Sequence, residues 1–205
     1  MDMDLDMNLK LDSMSENAFE IVRKWRNKLD GTILRTTQKL TKEMQSDFYH
    51  NEICNRNSNH KFIGLYGYVT SLKLIACIGI VNIQWENRLG EISIIVNPEE
   101  IGKGYGTIAF CELLKFGFYS LNLDNIFGEC YSCSPHVKFW QRMIQDFNAE
   151  ITTLPNRKYC DGLYYNSMYF NFNKAQYINI KMNDTVKFYN DYNKACEDFE
   201  RKANK

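Results

Sequence analysis

The sequence has no excess of charge in either direction: 25 lysines and arginines face 25 aspartates and glutamates in 205 residues. That balance gives no electrostatic case for duplex nucleic acid, whose binders carry a broad basic footprint. Long apolar runs are also missing. The longest, Leu74 to Val81, falls far short of the roughly 20 residues that cross a bilayer, so no membrane partner is expected. The N-terminus is acidic and has no apolar signal-peptide core. No repeat and no linker divides the chain.

The seven cysteines are an odd number, scattered through segments that read as core or helix. They make no disulfide framework and suit a reducing cytoplasm. Cys130 and Cys133 form a lone C-x-x-C pair. Tetrahedral zinc needs two further ligands, and only Cys160 and His136 are obvious ones. The thiols are therefore read as small apolar core residues, and no metal is expected.

What is present is a chain that is 44% hydrophobic, enough for a real core. Residues 1–12 alternate apolar and polar, the period of a half-buried strand. Ser13-Met14-Ser15-Glu16 has the capping-box form and predicts a helix start. Its apolar stripe is Ala18, Val22, Trp25 and Leu29. Thr41 marks a second cap, with a helix running toward Cys54. Strands are expected over Phe62–Val69, Leu74–Trp85 and Gly90–Asn97, then a helical pattern from Ile108 to Leu121. Asn125–Tyr131 reads as a strand, and Pro135 as the first turn of a helix through Ile144. Two last strands lie near Phe147–Leu154 and Tyr164–Phe172. In the tail, residues 183–203, the residues Val186, Tyr189, Tyr192, Cys196, Phe199 and Ala203 recur at helical spacing. That predicts a helix packed on its own domain or a homodimer contact.

Residues 91–107 are the most informative. An apolar, β-branched run breaks at Asn97-Pro98, and Gly102, Gly104 and Gly106 precede the helical pattern. Strand, glycine loop, helix is a recipe for gripping phosphate: glycine lets backbone N–H groups approach an oxyanion, and the helix N-terminus adds partial positive charge. No Lys-Ser or Lys-Thr follows the glycines, which excludes the P-loop. Spacing, and the antiparallel meander before the loop, exclude the dinucleotide fingerprint. The pattern that remains resembles the acetyl-CoA loop of the GNAT N-acetyltransferases, Gln/Arg-x-x-Gly-x-Gly/Ala. Gly104 and Gly106 take its glycine positions, and Ile101 stands where the family has Gln or Arg.

The resemblance extends beyond the loop, over residues 3–173. Val22-Arg23-Lys24-Trp25-Arg26-Asn27 is similar to the first helix of the GNAT branch that holds ribosomal-protein N-terminal and nucleotide-aminosugar acetyltransferases. Leu40 to Gln45 resembles that branch's second-helix entry, Phe139-Trp140-Gln141-Arg142-Met143 its fourth helix, and Gly162 to Ser167 its last strand. The resemblance implies an α+β fold layered α/β/α: a mixed, mostly antiparallel sheet of about six or seven strands, about four helices and an extra C-terminal helix. The GNAT domain is expected over residues 1–175, with a helical extension over 176–205.

It also implies a direct attack of an amine on the acetyl-CoA thioester within one ternary complex. Cofactor contacts then fall on Ile101, Gly102, Lys103, Gly104, Tyr105, Gly106 and Thr107. The backbone of Ile94, Ile95 and Val96 would add to the pantetheine arm like a strand and offer an N–H to the thioester oxygen. Trp140 occupies the fourth-helix position where relatives place a Tyr beside the thiol. Its indole N–H donates a hydrogen bond but gives up no proton, which leaves Tyr131 and Ser134 as candidate acids. Cys133 or Ser134 replaces the family's Asn before that helix. Glu91 is the candidate base, directly or through water, with Glu86 and Glu129 as rivals and an ion pair to Arg88 or Lys103 as its structural alternative. Trp25, Arg26, Arg35, Arg157, Tyr159 and Tyr164 are the expected walls of the acceptor pocket; arginine suits phosphate or carboxylate.

The resulting expectation is a cytoplasmic, acetyl-CoA-dependent N-acetyltransferase acting on a small-molecule amine or nucleotide-linked aminosugar, as a monomer or homodimer. Two alternatives stand beside it. One is a protein or peptide N-terminal acetyltransferase. The other is a non-catalytic acyl-CoA-binding or interaction module.

Overall fold

Local sequence signals set most element starts. The computed structural model describes residues 9–68 and 72–182, so the amphipathic tail lies outside the described residues. Alternation gives an edge strand, β1 (Leu9–Asp12). Helix α1 (Glu16–Arg26) starts after Ser15, whose hydroxyl accepts the Ala18 N–H at 3.3 Å. The cap expected at Ser13 is thus moved to Ser15, because the Asp12 carboxylate accepts the Ser13 N–H at 2.8 Å and ties Ser13 to the strand end. Helix α2 (Lys42–Phe48) is capped by Thr41 as expected and runs into a π-helical turn, Tyr49–Ile53, that ends at Cys54.

The Trp-Arg-Asn run that closes α1 has a physical role at each position. Trp25 is buried with Met14, Phe19, Val22, Leu74 and Cys77. Arg26 donates to the Gln38 carbonyl and the Thr36 hydroxyl. The Asn27 side chain both donates to the Leu40 carbonyl and accepts its N–H, each at 2.9 Å. The loop over residues 27–41 is therefore stapled back to the helix end. Leu29, expected on the helix stripe, falls in this loop, beyond the helix C-cap at Asn27.

Strands β2 (Lys61–Tyr68), β3 (Leu72–Gln84) and β4 (Leu89–Val96) continue the antiparallel meander. After the 3-10 turn Pro98–Glu100, helix α3 (Tyr105–Lys115) begins directly on Gly104, earlier than the Ile108 start expected from periodicity. Gly104 sits at φ +85°, where a left-handed residue turns the chain into the helix. A π-helical turn, Phe116–Ser120, closes it, and β5 (Asn125–Tyr131) has the expected bounds. Helix α4 (Val137–Asp146) starts after Pro135 rather than on it: the Ser134 hydroxyl accepts the His136 N–H, and the chain is still turning there. Strand β6 (Glu150–Cys160) begins later than expected because Asn148, at φ +48°, ends the turn after α4. Strand β7 (Leu163–Asn173) and helix α5 (residues 174–182) complete the described chain.

The seven strands form one sheet in the order β1-β2-β3-β4-β5-β7-β6, antiparallel except for β4 and β5. Helices α1 and α2 cover one face over a core that contains Phe19, Trp25 and Leu74. The larger core fills the other face beneath α3, α4 and α5. There Phe110 packs edge-on against Phe172 (5.0 Å), Phe147 (5.3 Å) and Trp140 (6.0 Å). Cutting such a buried ring back to alanine costs about 3–5 kcal/mol. The layered α+β expectation describes this architecture. Among the described residues, no helix is long and apolar enough to cross a membrane.

Candidate active site

The parallel pairing of β4 with β5 is short. It joins Leu89 to Asn125, Gly90 to Ile126 and Glu91 to Phe127, then stops. Beyond Glu91, strand β4 pairs only with β3, as far as Val96. Beyond Phe127, strand β5 pairs only with β7, as far as Tyr131. The sheet therefore forks, and the backbone of Ile92 to Val96 faces the cleft along one side. The expected strand-like contacts of Ile94, Ile95 and Val96 belong to this open edge.

The glycine loop lies at the end of β4. Gly102 and Gly104 both have positive φ, +86° and +85°, and a Cβ built on either meets nothing within 4 Å. No side chain caps the N-terminus of α3. Two left-handed glycines opening onto clear space at an uncapped helix N-terminus are suited to a pyrophosphate. Gly106 lies in the first turn, where a Cβ would touch the Phe139 ring at 3.5 Å. Tyr105 is buried in the core. Ile101 is 57% exposed and brings no charge to the loop. The cation expected from Lys103 is held 2.8 Å from Glu100, which Lys73 also binds at 2.9 Å. Hydrogen bonds from Lys103 and Lys73 hold the Glu100 carboxyl below its usual range. Arg142 on α4 supplies a second cation, donating to the Thr107 hydroxyl at 2.6 Å. The sequence placed Arg142 in the fourth-helix motif but gave no sign that it reaches the loop.

On the face covered by α1, the base of the fork is charged. Glu91, largely buried, accepts two hydrogen bonds from the Arg35 guanidinium and one from Asn82 at 2.8 Å. Asn82 sits at an irregularity of β3, at φ +51°. The Arg35 guanidinium also lies 3.7 Å from Glu129 on β5. Glu129 in turn accepts from Arg157 Nε at 3.0 Å and from the Ser167 hydroxyl at 2.7 Å. Burial alone pushes the Glu129 carboxyl up. The hydrogen bonds from Arg157 and Ser167, with the charges of Arg157 and Arg35, outweigh that and hold it below the usual carboxylate range. The structural alternative for Glu91, an ion pair, is realised with Arg35. The partners foreseen for that pair are engaged elsewhere: Arg88 with Asp124 and Lys103 with Glu100.

Strand β6 reaches the same cluster through a bulge. Its register to β7 shifts between Leu154 and Lys158, with Asn156 at φ +54°. Three residues, Pro155 to Arg157, stand opposite Asn166 alone, and the consecutive side chains of Arg157 and Lys158 both reach the face of Glu129 and Tyr131. Lys158 is buried and donates to the Leu34 carbonyl at 2.7 Å, and its Nζ lies 5.6 Å from the centre of the Tyr131 ring. Tyr131 is also buried. Burial first, and then the Glu129 charge, raise its phenol above the ordinary value against the opposing charge of Arg35, so it stays protonated in neutral solution. Lys158 carried no sequence signal, because strand alternation without the bulge assigns it and Arg157 to opposite faces.

The structure thus brings Glu91, Arg35, Tyr131 and Arg157 together and adds Asn82, Glu129, Lys158 and Ser167. Other candidates lie apart from this cluster. Trp25 and Arg26 pack and staple the end of α1, and Arg26 lines a cavity of about 210 Å³ within the loop that follows. Tyr159 and Tyr164 pair with each other at 5.0 Å on the β6–β7 hairpin, exposed. Alternation from Lys158 places them on the opposite face. Ser134 is held in the turn before α4 and accepts the His136 N–H. Trp140 stacks on Phe170 at 4.9 Å and borders the large core.

The family model for the acetyltransferase (GNAT) domain matches residues 9–133. No curated protein matches the chain. Solved structures do. A spermidine N-acetyltransferase from Vibrio cholerae in complex with CoA and spermine superposes with a TM-score of 0.73 at 16% identity, covering 83% of this chain and 98% of that one. Mutant forms of the spermidine/spermine N-acetyltransferase SpeG from Vibrio cholerae give 0.68 at 16% identity, covering 84% and 98%. Identity this low carries the fold alone.

Proposed function

The chain belongs to the GNAT acetyltransferase family, and from that premise we propose that it transfers an acetyl group to the primary amine of a small molecule. It is an acyltransferase, and acetyl-CoA is its acyl donor. Acetyl-CoA supplies the acetyl group activated as a thioester. The chain's own residues bind the donor, orient the acceptor and move the protons. Gly102, Gly104 and the start of α3 hold the pyrophosphate, and Arg142 adds a cation to them. The β4 edge from Ile92 to Val96 offers backbone groups to the pantetheine arm and an N–H to the thioester oxygen.

An alkylammonium, with a reference pKa near 10, must lose a proton before it can attack. Glu91 is the proposed acceptor of that proton. It is buried at the base of the fork on the same sheet face as Glu129 and Tyr131, with Asn82 and Arg35 fixing its carboxylate. Tyr131, protonated and held between Arg35 and Lys158, is the proposed donor to the leaving sulfur. Trp140 has no part in this proton traffic, because an indole N–H gives up no proton; its ring is stacked on Phe170.

The observation that carries the reading is the fork itself, with a carboxylate and a neutral phenol on one face where the two strands part. The spermine of the Vibrio cholerae structure supports an amine acceptor of small size. A nucleotide-linked aminosugar is the narrower form of the proposal. We place the reaction in a reducing compartment such as the cytoplasm, since Cys54, Cys77, Cys111, Cys130, Cys133 and Cys160 are all free thiols. The test is mass spectrometry of acetyl-CoA incubations with a panel of amines, aminosugars and peptides. A product heavier by one acetyl group is expected for a small amine. No transfer to any panel member would reject the reading.

A further inference from the structure

We propose that the acceptor carries an anionic group beside its amine, a carboxylate or phosphate, and that Lys158, Arg157 and Arg35 read it. This rests on the acetyltransfer reading above and names the acceptor's chemistry. Three cations meet two carboxylates at the base of the fork: Arg35, Arg157 and Lys158 against Glu91 and Glu129. The carboxylates are the buried partners, with side chains 10% and 6% exposed, whereas the arginine side chains are 52% and 51% exposed. Glu91 and Glu129 therefore act as anchors, and the guanidiniums are what an incoming molecule meets.

Each cation keeps donors in reserve. Arg157 is held through Nε, and its two Nη groups donate no hydrogen bond to the described residues. Lys158 is 8% exposed, spends one of three N–H bonds on the Leu34 carbonyl, and makes no ion pair among the described residues. An ammonium buried without a counter-charge is costly, and both nearby carboxylates are already engaged by arginine. Tyr131 stays neutral and supplies no charge. The thioester end of the acyl donor is neutral as well, and its phosphates belong at the glycine loop. The acceptor is the one reactant left to bring the balancing anion. Planar guanidiniums with paired N–H donors beside a lysine match carboxylate or phosphate oxygens. A polycationic acceptor would add charge where cations are already in excess.

Four acceptors with the same four-carbon amine separate the possibilities: 4-aminobutanoate, 4-aminobutyl phosphate, 4-aminobutanamide and butane-1,4-diamine. With the full chain and acetyl-CoA, kcat/KM should favour the carboxylate or the phosphate over both the amide and the diamine by at least about tenfold, or 1.4 kcal/mol. The winner of the first pair identifies the anion. Arg157→Gln should collapse that ratio toward unity, mainly through KM. Lys158→Met should do the same, with circular dichroism to confirm that it folds. Should Lys158→Met fail to fold, Arg157→Gln alone decides. Equal or better use of the amide or diamine overturns the inference and leaves acetyltransfer standing. If none of the four turns over, calorimetric titration of each decides: preferential binding of the carboxylate or phosphate supports the inference, and no preference overturns it.

Discussion

Arg35 and Glu91 lie 56 positions apart in the sequence and are joined by two hydrogen bonds between guanidinium and carboxylate. The pair fastens the loop after α1 to the strand that lines the cleft. The carboxylate proposed to take the substrate proton is thus also the anchor of a loop. Its two roles make different experimental demands.

Glu91→Gln keeps the shape and the Asn82 contact but removes the charge. The expected loss in kcat/KM is about 10²-fold or more, the usual contribution of a positioned base. The dissociation constant for CoA should stay unchanged, because the loop proposed to hold the phosphates lies at the far end of β4. Wild-type turnover in this variant would remove Glu91 from the chemistry.

Tyr131→Phe deletes a hydroxyl held between Arg35 and Lys158. Because burial and Glu129 raise the phenol pKa, wild-type kcat should show no basic limb from this group below about pH 10. The variant should lose about 10²-fold in kcat, with less effect on KM. An unchanged kcat would mean that the thiolate leaves without an acid from this chain.

Gly104→Val tests the phosphate grip. Space is not the obstacle, since a Cβ there meets nothing within 4 Å. The obstacle is the positive φ, which costs an ordinary residue about 1–2 kcal/mol. Thermal melting should fall by about 2–4 °C per kcal/mol in a chain of this size. The CoA dissociation constant should rise at least about tenfold, and full retention of CoA affinity would displace the assigned loop.

Gly128 lies under the stack that orients Trp140. A Cβ at Gly128 would come within 2.5 Å of the Phe170 ring, and Phe170 is fully buried against Trp140. Gly128→Ala should therefore destabilise the protein by about 1–3 kcal/mol through overpacking, read as a lower denaturant midpoint. A stability equal to wild type would show that the stack yields without strain.

Acid sensitivity has a definite sign. The Glu129 carboxyl has a lowered pKa in the folded protein. Its contribution to stability is fully present above the ordinary carboxylate value and is lost as pH falls through the lowered one. Melting temperature should hold from neutrality to about pH 5 and drop below that, and Glu129→Gln should flatten the drop. A wild-type profile with no acid limb would contradict the ion-paired arrangement.

Elements that depend on local chemistry were legible in the sequence. Thr41 caps α2, Asn125–Tyr131 is a strand, and the glycine run is a loop before a helix, because caps, alternation and glycine act on near neighbours. What escaped depends on partners far along the chain. Ser13 lost the cap of α1 to Ser15 because it is tied to Asp12, the last residue of a strand paired with β2. The structural alternative for Glu91 offered only its sequence neighbours Arg88 and Lys103 as partners, whereas Arg35 binds it through the folding back of a stapled loop. Lys158 depends on an irregular register between β6 and β7, and Arg142 on the approach of its side chain to Thr107 at the start of α3, neither of which periodicity reveals. Trp25 and Tyr159 are aromatics with opposite fates, core and hairpin surface, that composition cannot separate.

The parting of β4 from β5 creates a strand edge inside the molecule. Outward edges invite pairing with other chains and need guarding. This one is screened by its own sheet on one side and by β5 and β7 on the other. Along β4, successive amides point alternately to β3 and to the cleft. Hydrogen exchange over Ile92 to Val96 should therefore follow a two-residue rhythm, with every second amide protected by β3 whether or not CoA is added. The intervening amides should slow only when the cofactor is added, so this short stretch of backbone serves as a built-in gauge of how much of the enzyme is loaded.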